Sequence, residues 1–192
     1  MRFPKIAAIA AIAALIAAPL SAAPWKVDKS HAHVTFSVSH LGFSTTQGQF
    51  REFDAEIDFD PDNIEAATVS LTINAESIDT NWPARDKHVK SKDFLHVSEH
   101  PEITFVSRTV RLTGENTAEV TGDLTIRGVT HEEVFQAKLE RIGPSPFNPD
   151  QQVAGFVIEG EVDRTKYDMT YGAPAIGTVI PLRVDVEISP AS

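Results

Sequence analysis

The 192-residue sequence carries 17 basic and 27 acidic side chains, a formal net charge of −10, and no cysteine. An acidic chain without a basic cluster repels phosphate backbones, which argues against nucleic acid as a partner. Without cysteine, neither disulfide stapling nor a lipobox anchor is available, so stability has to come from an apolar core that a single domain of this length can bury.

The chain opens with Arg2 and Lys5, an apolar run from Ile6 to Ala18 and the small residues Ser21-Ala22-Ala23. That order is the pattern of a secretory signal peptide, cleaved after Ala23. The apolar run is too short to span a bilayer comfortably, so no stable membrane insertion is expected. Residues 1–23 are therefore read as a leader and residues 24–192 as one exported domain. Losing Arg2 and Lys5 takes the 17 basic side chains to 15 against 27 acidic ones and makes that domain more acidic still.

Beyond the leader the sequence alternates apolar and polar residues in short runs, which is how half-buried strands read. Ala32, Val34, Phe36, Val38 and His40 share one face of the first run, and His31 and His33 fall on the other. Leu41-Gly42-Phe43-Ser44 turns the chain into a long strand candidate over Thr46–Phe59. In that strand Phe50 has the opposite parity from Phe53, Ala55, Ile57 and Phe59, so a bulge is expected near Arg51-Glu52. Asp60-Pro61-Asp62-Asn63 is a turn, and Ala67, Val69, Leu71 and Ile73 resume the alternation.

The pattern then breaks. Asn81 can cap a helix, Pro83 suits a first turn, and Arg85 to Asp93 is polar, charged and free of glycine, which predicts one short helix over Asn81–Phe94. Phe94, Leu95 and Val97 give this segment an apolar anchor, so it reads either as a lid over a cavity or as a surface connection whose Phe94 plugs the core. Strand alternation returns over Ile103–Leu112, Ala118–Arg127, Glu133–Ile142, Ala154–Val162 and Ile180–Ile188. A proline-rich loop over Gly143–Asp150 and a long irregular connection over Arg164–Gly177 separate the last three. Val134, Phe135, Ala137 and Leu139 also fit a helix, and their neighbours decide for strand. About eight strands of period two predict an all-β fold, an antiparallel β-barrel in preference to a sandwich, because closure removes sheet edges without disulfides.

Chemistry is sparse. There is no Gly-x-Ser-x-Gly elbow, no cysteine nucleophile and no phosphate loop, and no carboxylate pair stands out. His31 and His33 project from the same face, as paired metal ligands must, but no spacing supplies a third ligand from His88, His96, His100 or His131. No cofactor is implied. A binding module needs less, since an eight-stranded barrel is just wide enough to be filled by side chains or to hold one small ligand.

Several segments together resemble one family. Trp25-Lys26-Val27-Asp28, His31, Phe36, Val38, His40-Leu41-Gly42 and Gly48-Gln49-Phe50 are similar to the opening of the YceI-like, polyisoprenoid-binding proteins. Arg85-Asp86-Lys87-His88, Ser91-Lys92-Asp93-Phe94 and Pro101-Glu102-Ile103-Thr104-Phe105 resemble its middle signature. Gly122 to Thr130 is similar to its most recognisable segment, and Arg164, Tyr167 and Met169 to its late motif. Ala32 and Asp168 depart from residues often found there, serine and glycine. The resemblance implies a lipocalin-like antiparallel β-barrel with a short helix, exported to the periplasm, that carries a long-chain isoprenoid lipid without catalysis. It also allows a homodimer. A carrier of fatty acid or fatty amide is the first alternative, and a metal-dependent enzyme using His31 and His33 is the second.

By parity, the residues expected to face such a ligand are Phe36, Val38, Leu124, Ile126, Phe135, Phe156 and Ile158. Phe94 and Leu95 are expected to close one end, with Tyr167, Met169 and Tyr171 on a loop at the mouth.

Overall fold

The structure, a computed structural model, describes residues 23–191. The expected leader therefore lies outside the described residues, apart from Ala23, whose backbone opens the first strand.

The described residues form ten strands: β1 (Ala23–His40), β2 (Ser44–Phe50), β3 (Phe53–Phe59), β4 (Thr68–Asn74), β5 (Ile78–Asp79), β6 (Glu102–Leu112), β7 (Thr117–Ile126), β8 (Val129–Pro144), β9 (Gln152–Asp163) and β10 (Val179–Pro190). All pairings are antiparallel, and β10 pairs with β1 to close the sheet. β1 is long enough to meet β3 through Trp25↔Ile57 and β2 through Val34↔Phe50. β2 and β3 are thus one wall position interrupted at Arg51-Glu52, and β4 and β5 continue each other in the same way beside them. The result is an eight-stranded antiparallel barrel, as the alternation predicts, of the lipocalin-like kind that the resemblance implies.

The interruption at Arg51-Glu52 does what the parity of Phe50 requires. With two residues out of the ladder, Phe50 and Phe53 both turn inward, and both line the interior. The segment over Glu133–Ile142, ambiguous in sequence, lies in the 16-residue β8, where the neighbouring strands override local helix propensity.

The helix is shorter than predicted. α1 spans Pro83–Val89, with Trp82 at its N-cap, and Asn81 stands outside it in a left-handed conformation (φ 61°). The anchoring acceptor is instead Asp86, whose carboxylate takes the backbone N–H and the hydroxyl of Thr80. From Lys90 to Pro101 the chain runs in turns, with Leu95 N–H bonded to the Val89 carbonyl and a left-handed His96 (φ 51°). Those turns drive Leu95 into the core, where it is 7% exposed.

α1, the β1–β2 turn, the β7–β8 turn and the β9–β10 loop gather at one end of the barrel. The β3–β4, β6–β7 and β8–β9 connections gather at the other. Apolar clusters pack near each end. The first holds Phe50, Ile78, Leu95, Ile103, Ile126, Tyr167 and Met169. The second is built on Trp25, Phe59, Ala154 and Ile188, with Trp25 and Phe156 set edge-on to Phe59 at 5.2 and 5.4 Å.

The outer wall is charged. Arg111 faces Glu119 across the β6–β7 ladder, Arg183 faces Glu159 across β9–β10 at 2.7 Å, and Arg108 bridges Asp123 and Glu132 at 2.9 and 3.1 Å. A membrane barrel carries an apolar band there. Among the described residues no helix is long and apolar enough to cross a membrane.

Candidate ligand-binding cavity

The barrel encloses a cavity of about 820 Å³ between the two ends. That volume lies in the roughly 300–1,000 Å³ range of small-molecule sites. All ten described strands contribute lining side chains, mostly at period two, and the wall is overwhelmingly aliphatic and aromatic.

Three phenylalanines explain why bulky inward residues leave space. Phe36 of β1 lies over Gly48 of β2, Phe105 of β6 over Gly122 of β7, and Phe135 of β8 over Gly160 of β9. A Cβ at any of these glycines would overlap the ring. Each ring therefore lies along the wall and not across the lumen. Interior packing is normally as dense as a crystal, so an apolar void of this size is a feature the sequence has to maintain.

Ten of the twelve residues expected at the ligand line this cavity: Phe36, Val38, Phe94, Leu95, Leu124, Ile126, Phe135, Phe156, Ile158 and Met169. Tyr167 and Tyr171 do not. Tyr167 is completely buried behind the wall, where its hydroxyl donates to Glu133 Oε1 at 3.1 Å and its ring stands edge-on to His131. Burial and the adjacent carboxylate push its phenol well above the ordinary value. Tyr171 is half exposed and packs from outside on His88 and Phe94, at 4.9 and 5.4 Å between centroids. A loop position alone carries no parity, so the sequence could not assign a direction to either ring.

The ends of the cavity are where its few polar groups sit. At the helix end Thr80, Arg85, His88 and Arg164 line it, and Trp82 lines it while being 61% exposed. His88 also meets Asp93 at 3.1 Å. At the far end Pro61, Leu112, Glu115, Asn116 and Thr117 line it, and most of these face solvent as well. Solvent-exposed residues thus border the lumen at both ends. Trp82, Thr80 and Arg85 were not singled out as site residues from sequence. The signal available was the indole beside a predicted helix start, an apolar group with no strand to bury it.

Arg164 is the least expected member. It is 4% exposed, with Nε and Nη2 donating to the carbonyls of Gly177 and Ile176 at 2.9 Å and Nη1 to that of Met169. Phe94 presents its ring face 5.8 Å from the guanidinium carbon. Burial pulls the guanidinium below its ordinary value. Arg127, in a left-handed turn, donates to the Asp168 carbonyl at 2.8 Å and ties the β7–β8 turn to the same loop.

The proposed metal pair does not come together. His31 and His33 are both exposed on the outer wall. The donor atoms close to His31 belong to Asp28, at 2.9 Å, and Glu187.

A family model described as the YceI-like domain matches residues 25–189. A UPF0312 protein of Ectopseudomonas mendocina is 41% identical over 184 residues, covering 95% of this chain and 95% of that one. The crystal structure of BcnA from Burkholderia cenocepacia superposes with a TM-score of 0.76 at 22% identity, over 84% of this chain and 98% of that one. A polyisoprenoid binding domain from Saccharophagus degradans, implicated in plant cell wall breakdown, does so with a TM-score of 0.64 at 12% identity, over 87% and 98%. At these identities the two structures share the fold with this chain.

Proposed function

The chain belongs to the YceI-like family, and on that premise we propose that it is a carrier that sequesters a long-chain isoprenoid lipid, of polyprenyl or isoprenoid-quinone type, inside its barrel. The observation that carries this reading is the apolar lumen of about 820 Å³, walled by rings laid on glycines and bordered by exposed residues at both ends. Burial contributes about 0.8 kcal/mol per methylene, so a long hydrocarbon binds such a lumen with almost no polar contact. A fatty acid or fatty amide would gain from burial in the same way. The prenyl class is favoured because a neighbour of the same fold is described as a polyisoprenoid binding domain. The role is one of holding, not catalysis, and metal chemistry at His31 and His33 gains no support from their placement. A periplasmic location belongs to the same proposal and is supported by the export-type pattern of Arg2, Lys5 and the apolar run that follows. A homodimer belongs to the same reading through the family resemblance, and light scattering of the purified protein decides it.

Trp82 reports on the test, because it lines the lumen at an exposed mouth whereas Trp25 is buried. Titration with geranylgeraniol is expected to shift the tryptophan emission to the blue, saturably and at one ligand per chain. Ala137→Phe, which puts a ring into the lumen from β8, is expected to abolish the shift while leaving the fold intact. A titration without saturation, or an unchanged response in Ala137→Phe, would remove the lumen as the binding site.

A further inference from the structure

The guanidinium and imidazole side chains that line the lumen stand at one end and a carboxylate at the other. His40, Arg85, His88 and Arg164 are all at the helix end, and Glu115 stands at the opposite one. This runs against the rest of a chain whose net charge is −10. We propose, resting on the carrier reading, that the helix end is a head-group site for an anionic oxygen, a carboxylate or phosphate, and that it orients the lipid with its tail toward the β6–β7 hairpin.

Arg164 carries the argument. A buried guanidinium is costly unless it is paired and hydrogen-bonded. Among the described residues no carboxylate lies within ion-pair distance of it. The neighbouring Asp163 spends its carboxylate on the N–H and hydroxyl of Thr165, at 3.0 and 2.7 Å. Arg164 instead rests on three neutral carbonyls and the face of Phe94. Those carbonyls take three of the five N–H groups that a guanidinium offers. The charge is thus solvated by dipoles but not neutralised, and its side chain lines an otherwise apolar lumen. An anionic oxygen there would supply the missing counter-charge through charge-assisted hydrogen bonds.

The other residues at this end point the same way. Arg85 donates to the hydroxyl and carbonyl of Thr80, at 2.8 and 2.6 Å, which holds its cation at the mouth beside α1. His88 sets its ring edge-on to Phe94, at 5.1 Å between centroids, and meets the Asp93 carboxylate at 3.1 Å, so Phe94 has an imidazole on one side and the guanidinium on its face. His40 is bridged to Ile176, whose carbonyl is one of the three that hold Arg164. An anion entering past Trp82 would meet Arg85 first and Arg164 deeper in. At the far mouth it would meet Glu115, which repels it.

The experiment fixes the tail and varies the head. Hexadecanoate, hexadecyl phosphate, hexadecanol and hexadecylamine, each below its micelle concentration, compete with Nile red for the full-length processed protein. The two anions are expected to bind at least about tenfold more tightly than the alcohol, the range of a hydrogen bond to a charged group, with the amine weakest. In Arg164→Gln the anions should fall to parity with the alcohol while the alcohol itself binds as before, which is a change a mere loop staple would not produce. Should Arg164→Gln fail to fold, Arg85→Gln combined with His88→Gln carries the test and should narrow the preference several-fold. Arg111→Gln, on the outer wall, should leave it intact. A tie between anions and alcohol in the unaltered protein, or a preference retained in both variants, overturns the proposal and leaves the carrier reading standing. Failure of all four to displace Nile red overturns both.

Discussion

Gly48 illustrates how one residue sets the capacity of the lumen. Its missing side chain is the bed for the tip of Phe36, opposite it in the β1–β2 ladder. The atoms in the way are the far end of a side chain that can swing, so Gly48→Ala is expected to fold with a loss of about 1–3 kcal/mol from overpacking. Its larger effect should be on binding, because the displaced ring has only the lumen to enter. Affinity for geranylgeraniol should fall by more than the stability change implies. Equal affinity in Gly48→Ala would mean that the ring's lodging on glycine is incidental.

A second residue-scale prediction concerns His31, which sits in a turn-like irregularity of β1 with Asp28 and Ser30. The Ser30 hydrogen bonds, and then the one from His31, hold the Asp28 carboxyl at about 2, and Asp28 in turn raises the His31 imidazole above its ordinary 6.5. A depressed carboxylate contributes above its unfolded value of 3.8 and is lost as pH falls toward 2, and a raised imidazole contributes fully below 6.5 and is lost as pH rises through its folded value. The pairing is therefore whole only between about pH 4 and pH 6.5. An NMR titration should place the His31 midpoint above 6.5 and return it toward that value in Asp28→Asn. No movement on substitution would show that the pair is not formed in solution.

At the scale of elements, the segment from α1 to Pro101 is the cover of one barrel end, and Phe94 is its key. That ring packs edge-on against His88 and Tyr171, stands over Arg164 and lines the lumen within. Phe94→Ala should cost about 2–3 kcal/mol, less than a fully buried phenylalanine because the site is partly exposed. It should also speed release of bound lipid several-fold in a stopped-flow chase. Lost stability with unchanged release would make the segment a plug and not a gate. The sequence made this element visible through the break in alternation, but overextended it. Residues 81–94 lack glycine and read as helical, yet the Leu95 N–H folds back to Val89 and His96 takes a left-handed turn, geometry set by burying Leu95 and not by local propensity.

For the whole molecule, period-two alternation fixed the class because each strand has one face on a common interior and one on water. The opposite parity of Phe50 even located the break at Arg51-Glu52. What alternation could not convey is that β2 with β3, and β4 with β5, each serve as a single wall position, since that depends on pairing partners distant in sequence. Nor could it separate a filled barrel from a hollow one. The inward list of Phe, Leu and Ile reads the same either way, and the difference lies in which phenylalanines find a glycine on the neighbouring strand. Loop residues were the least legible: Tyr167 is core and Tyr171 is exterior, although both come from one irregular stretch, and the weight of Arg164 appears only when three carbonyls and Phe94 surround it.

A carrier of this kind requires a hollow barrel occupied by lipid. Native mass spectrometry of the protein recovered from its native host, before and after organic extraction, tests this most directly. The account predicts a discrete adduct that disappears on extraction and whose released masses form a series spaced by isoprene units. A chain of bare mass before extraction that also takes up no geranylgeraniol when it is offered would contradict it.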